Sequence, residues 1–492
     1  MNLKMKLKTK RRTFAVAVLL IASAALTVLV ASAALIGYGA ASVVAAPSNP
    51  NHAKRPPACY QPPAPDPSQP PGPPPEMKPT TITTIKQAYY CILDNFYDGP
   101  VLNNRSLLTA AFAGLTLELQ RRGFDQRHAM PPAFTGKVDD DMDAFSQVYQ
   151  QITAQLPDDP ALRQAIAEAT MLAMIDSLNT NHVGWNRSLP PANLSGISLS
   201  GFQGVADLDP AASAPLYVEA VQDPAESAGV QAGDEIVAIN GVPPYINGVL
   251  SEGAIKWITE SKRNTPVNLT LRRPATDVTF DVSVTPGPPP PPKQDPPRLL
   301  DGNIAYVKLP GFAIEPIDDL LAGIAEMRKS TQLRGVIIDL RNNGGGSGPD
   351  RLLGALAHDK VFGYWCDAKG HCTENRTDDS VQLLNLPVVT LIDRGCASAC
   401  DIFASGVKDL RLGALVGTRT AGVVAGPADP YQLEDGSSLR LPKFYQVSAN
   451  REIINTIGVA PDHFAPVTAA DLSAGRDPGL AKALELLKSH RP

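Results

Sequence analysis

Ser398 lies in the segment Cys396-Ala397-Ser398-Ala399-Cys400, between an apolar run, Val388 to Ile392, and a helical pattern reaching about Leu410. A serine where a buried strand turns into a helix is placed for nucleophilic acyl transfer, because the helix dipole and its unpaired amides face the forming oxyanion. Taken alone, the same serine reads as an ordinary N-cap. A second piece is Asp339-Leu340-Arg341-Asn342-Asn343-Gly344-Gly345-Gly346, where three glycines follow another buried strand. Without side chains, their amides can approach a ligand closely; a plain turn is the rival reading.

Gly417-Thr418-Arg419-Thr420-Ala421-Gly422 and Gly458-Val459-Ala460-Pro461-Asp462 follow in order. The four segments together resemble the processing-peptidase and tricorn-type family of serine peptidases, over residues 82 to 488. The resemblance implies an α/β catalytic domain of ClpP/crotonase-like type, with Ser398 as nucleophile. It also implies oxyanion donors from the amides of Ala399 and of Gly344 or Gly345, and protein or peptide substrates. No cofactor or metal is required by such chemistry.

The general base departs from the commonest pattern. Processing peptidases of the family take a lysine after Thr-x-Gly, and the matching position here is Val423. Lys408 is a poor substitute, about 15 Å along the nucleophile's own helix at 1.5 Å per residue. The tricorn-like branch uses a histidine ahead of its PDZ domain. Asp176-Ser177-Leu178-Asn179-Thr180-Asn181-His182 resembles that branch's Leu-x-Asp-x-His element, with Thr180 at the Asp position. His182 is therefore expected as the base, and an imidazole titrating near neutrality suits the role; the rival is a histidine capping helix carbonyls. The orienting third group is expected at Glu452, with Asn455 nearest the position that the branch gives to a glutamate.

These residues need elements to hold them. Apolar positions Ile85, Ala88, Tyr89, Ile92 and Phe96 recur at helical spacing, and 81–190 reads as a helical N-terminal region. Residues 196–285 turn to short β-type runs. Within them Pro224 to Gly241 reads as a short helix, a glycine turn, a buried strand and an Asn-Gly hairpin. This stretch resembles a PDZ domain, which implies a groove that adds an extended peptide to a sheet edge. Proline runs at 47–80 and 286–297 read as stiff linkers. Residues 298–488 alternate strands with helices and read as the α/β peptidase domain.

Composition bounds the setting. Six cations precede an uncharged apolar stretch, residues 13–46, which reads as a signal peptide or signal anchor over residues 1–46. Export follows, either secreted or anchored through 13–46 on the outer face of the cytoplasmic membrane. Net charge is −5, and without the six leader cations it is −5 − 6 = −11, so there is no basic footprint for nucleic acid. Six cysteines in an exported chain read as disulfides. Cys59 pairs naturally with Cys91; Cys366, Cys372, Cys396 and Cys400 leave three connectivities open. A metal site at Cys366, His371, Cys372 and a later cysteine fits no common zinc spacing. The alternatives to an active enzyme are an inactive relative that keeps its peptide groove, and a surface scaffold with proline stalks. Oligomeric state is not readable from the sequence.

Overall fold

The apolar run Val388–Ile392 is an inner strand of a six-stranded sheet. The order is Arg298–Leu300, Ile304–Lys308, Gly335–Asp339, Val388–Ile392, Ala414–Gly417 and His463–Phe464. The first pair is antiparallel and the rest run parallel. Gly335–Asp339 and Val388–Ile392 are buried along their whole length, as strands covered on both faces must be. Val336 and Ile338 pack with Ile317, Leu320 and Ile324 of the helix Ile314–Ser330, and with Phe403 and Val407 of the helix Ala399–Asp409. Ile337, Val389 and Leu391 face the other way, onto Ala483 and Leu487 of the helix Pro478–Ser489. The computed structural model describes residues 55–63, 75–180, 182–187, 194–200, 202–203, 207–208, 213–288, 295–426 and 428–489. The expected leader (1–46), Asn181 and the middles of both proline runs lie outside the described residues. Among the described residues no helix is long and apolar enough to cross a membrane.

Helices Ile82–Asn95, Asn104–Arg121, Val138–Thr153 and Pro160–Asp176 precede the sheet. The first is started by a capping box between Thr81 and Thr84. Their core (Ile85, Leu108, Phe145, Ile166 and Met171 among others) continues into Trp185, Leu439 and Leu441. That continuity matters for the site. The strand Gly184–Asn186 pairs antiparallel with Ser438–Pro442, and the Trp185 indole N–H donates to Ser437 Oγ (2.8 Å). The segment after the fourth helix is thereby pinned to the C-terminal half of the chain.

Strands Glu235–Ile239, Val267–Arg273 and Val278–Val284 form an antiparallel sheet covered by the helix Glu252–Thr259. Asn240 and Gly241 both take positive φ (48° and 81°), the geometry of a two-residue hairpin turn. The short helix expected after Pro224 is instead a run of turns, ended when Gly229 turns left-handed at φ 94°. This domain leans on the C-terminal segment: Tyr217 Oη donates to Val467 O (3.0 Å), and Ala275 N–H to Ser473 Oγ (3.0 Å).

The disulfides are Cys59–Cys91, Cys366–Cys372 and Cys396–Cys400. The second joins directly opposed residues of a hairpin and takes Cys366 and Cys372 out of the rival metal reading. The third brackets Ser398.

Candidate active site

Two loops at the ends of neighbouring parallel strands make the turn that carries Ser398. Gly335–Asp339 leads into the glycine run, and Val388–Ile392 leads into Asp393-Arg394-Gly395. Asp393 Oδ1 accepts from Asn342 N–H (2.9 Å) and Gly395 N–H (3.0 Å), tying the loops together. Ala397 N–H donates to Asn343 O (3.0 Å). Asn343 itself is fully buried, and its Nδ2 donates to Leu309 O (2.8 Å).

Ser398 occupies the N-cap position of the helix Ala399–Asp409 with φ 56° and ψ −118°. That region is costly for any residue with a Cβ, on the order of 1–3 kcal/mol. Its hydroxyl makes no capping bond, so the N-cap reading does not account for it. Ala399 N–H also has no acceptor among the described residues. Gly345 explains why it stays open: a Cβ there would come 2.9 Å from Ala399 N and 2.5 Å from Ser398 Cβ.

The two glycines offered as alternative donors differ in what their amides do. Gly345 N–H donates to Asn343 Oδ1 (2.9 Å), so it is committed inside the loop. Gly344 is exposed, and its N–H forms no bond among the described residues. Ala399 keeps a free amide beside the serine, and among the described residues the N–H groups of Gly344 and Gly346 in the neighbouring loop form no bond either.

Asp401 is a residue that the motifs did not single out. Fully buried in the first turn of the helix, it accepts from Gly422 N–H and Val423 N–H (both 2.9 Å). It also accepts from Ser398 N–H and the Thr420 hydroxyl. Burial pushes its carboxyl up to about 6 despite these four donors. The spacing Ser398-x-x-Asp401 is that of a capping box, the sequence signal that would have found it. Asp401→Asn leaves part of this set unpaired and is expected to cost about 1–3 kcal/mol. A denaturant titration checks this, and an unchanged midpoint would remove Asp401 from its place as the clamp on the turn.

His182 and Ser398 line the same cavity, of about 400 Å³, together with Ala399, Phe362, Trp365, Ile402, Val424 and Gln446. The two residues arrive from opposite ends of the chain, His182 by way of the strand pairing at Gly184–Asn186. Burial, and secondarily the charge of Arg440, push the His182 imidazole down to about 4. Its Nδ1 is buried without a partner. Glu452, expected to orient it, is exposed in the turn closed by Ser448 N–H on Glu452 O (3.0 Å), and does not line the cavity. Asn455 is no substitute, since its Oδ1 accepts from Val424 N–H (3.1 Å). Lys408 is turned to Ala460 O (2.5 Å), and Val423 brings only its amide to the site.

Residues 303–464 match peptidase family S41, and residues 217–273 match a PDZ domain. The likeness to peptidase family S41 rests on the first of these stretches, a minority of the chain. Among similar proteins, the carboxyl-terminal-processing protease of Picosynechococcus sp. is 27% identical over 274 residues, covering 54% of this chain and 64% of that protein. The chloroplastic carboxyl-terminal-processing peptidase 3 of Arabidopsis thaliana is 30% identical over 254 residues, covering 49% and 48%. Tricorn protease homolog 1 of Streptomyces coelicolor is 27% identical over 297 residues, 56% of this chain and 25% of that protein. The chain spans about half to two-thirds of the length of the first two. A solved photosystem II D1 C-terminal processing protease superposes with a TM-score of 0.49 at 18% identity, covering 83% of this chain and 97% of that one.

Proposed function

We propose that this chain is an exported serine endopeptidase that cuts peptide bonds through an acyl-enzyme on Ser398, with His182 as general base. The observation that carries the reading is the shared cavity of Ser398 and His182. His182, neutral over the physiological range, takes the proton as Ser398 Oγ attacks the carbonyl carbon. The resulting oxyanion lies toward the free N–H groups of Ala399 and Gly344. The imidazolium then passes its proton to the leaving amine, and water repeats the sequence to release the acyl group. The sheet of 298–488 serves as a ClpP/crotonase-like scaffold, and the PDZ domain presents or gates the peptide. Three disulfides support export, with residues 13–46 as leader or anchor.

Two measurements test the base. Because the His182 imidazole is held down to about 4, kcat/KM is expected to stay level as pH falls from 7 to 5 and to drop with a midpoint near 4. A midpoint at the ordinary 6.5 would assign the base elsewhere. His182→Ala should lower kcat/KM by about 10²- to 10⁴-fold and slow fluorophosphonate labelling of Ser398; full activity in that variant ends the assignment. The same depression makes the fold lose stability as pH falls from 6.5 through about 4, since the unfolded chain binds that proton more readily.

A second reading, an inactive member acting as a peptide-binding or surface scaffold protein, is favoured by two features: among the described residues His182 Nδ1 has no orienting partner, and Val423 stands at the lysine position. On that reading Ser398 does not take up the fluorophosphonate.

A further inference from the structure

Gln446 is the most deeply buried polar side chain on the wall of the cavity beside Ser398, 1% exposed, and nothing among the described residues satisfies it. Neither Nε2 nor Oε1 has a hydrogen-bond partner. The strand Tyr445–Ser448 pairs antiparallel with Val361–Cys366, which sets Gln446 directly opposite Trp365 on the same face. Gly363 makes room for the carboxamide, since a Cβ there would lie 2.9 Å from Nε2. A buried polar group left unmade keeps its full desolvation penalty, and native chains seldom keep one without a use for it.

The surroundings narrow what it would bind. Phe362, Ile402 and Val424 supply buried apolar wall. Of the charged lining residues, Glu374 and Arg376 are exposed and paired with each other (2.9 Å), and Asp350 is half-buried. An anionic side chain entering the pocket gives up its hydration and meets no buried counter-charge, and a cationic one finds only the half-buried Asp350. An apolar one leaves the Gln446 carboxamide unmade. A second carboxamide offers a donor to Oε1 and an acceptor to Nε2 at once.

Resting on the peptidase reading, we propose that Gln446 determines specificity by pairing with the side-chain carboxamide of a glutamine or asparagine whose carbonyl Ser398 attacks. Four peptides that differ only at that residue test it, Gln against Met and Asn against Leu, with wild type and Gln446→Met. Wild type should favour each carboxamide over its apolar counterpart by about tenfold or more in kcat/KM. Gln446→Met should level or invert those ratios while cleaving the Met and Leu peptides at least as well. Equal rates on all four in wild type overturn the pairing. So does a uniform loss across the four in the variant, which would place the amide on the substrate main chain or in the fold. Cleavage of an unfolded protein but of none of the four peptides overturns the pairing and leaves the peptidase reading standing. Cleavage of neither overturns both.

Discussion

Ser398→Ala is expected to lower kcat by about 10⁴-fold or more while the melting curve stays where it was. The two halves of that result come from different observations. Activity falls because the only atom removed is the hydroxyl oxygen that would carry the acyl group. Stability holds because that hydroxyl makes no capping bond, and because alanine keeps the Cβ that packs over Gly345. Substitutions that remove no structural feature usually fall within about 0.5 kcal/mol. Ser398→Gly goes further. Relieving φ 56° and ψ −118° recovers part of the backbone strain, so this variant should melt above Ser398→Ala, by about 1 kcal/mol of stability. Adding His182→Ala to Ser398→Ala should cost nothing more in rate, since groups that act as a unit are not additive. Calorimetry and initial rates on one unfolded substrate settle the matter. A Ser398→Ala protein keeping a tenth of wild-type rate would move the nucleophile elsewhere.

What the sequence disclosed about this site follows the range of the forces involved. Val388–Ile392 and the helix after it were legible because apolar run, turn and small-residue helix start are all local. The glycine run was legible as a loop. Which of its amides stays free was not, because Asn343 folds its own side chain back onto Gly345 N–H, a choice that spacing does not encode. His182 came only from resemblance, since its position depends on Gly184–Asn186 pairing with Ser438–Pro442 far along the chain. Glu452 was sought by distance from a motif, and the chain there forms a surface turn. Gln446 left no trace, because one polar residue in Tyr445–Ser448 looks like ordinary strand alternation until Trp365 and Gly363 are set against it. Of the three pairings open to the last four cysteines, the protein takes the two shortest loops. Each is closed by a local element, a hairpin in one case and a helix start in the other.

Gly345→Ala is the complementary test, because it leaves every catalytic side chain in place. Gly345 has φ +98°, where an alanine pays about 1–2 kcal/mol. The added methyl would also meet Ser398 Cβ at 2.5 Å, Ala397 O at 2.7 Å and Ala399 N at 2.9 Å. Two of those three atoms are backbone, so no rotamer change relieves the clash, and overpacking of this kind costs about 1–3 kcal/mol more. The loop has little freedom to retreat. Gly345 O accepts from Phe312 N–H (2.7 Å) on one side, and Gly345 N–H is held by Asn343 on the other. Relief must therefore come from the nucleophile turn, the part closed by Cys396–Cys400 and clamped by Asp401. Moving it displaces Ala399 N–H, and losing one oxyanion donor costs about 10²- to 10³-fold in kcat. The expected result is a protein about 2–5 kcal/mol less stable, with kcat reduced at least that far. Gly344→Ala is the control: a Cβ there meets nothing within 4 Å, and the amide survives the substitution. That variant should fold and turn over near wild type. If both glycine variants kept wild-type kcat, the close approach of the two loops would be irrelevant to turnover, and the free amides beside Ser398 would have to be sought elsewhere.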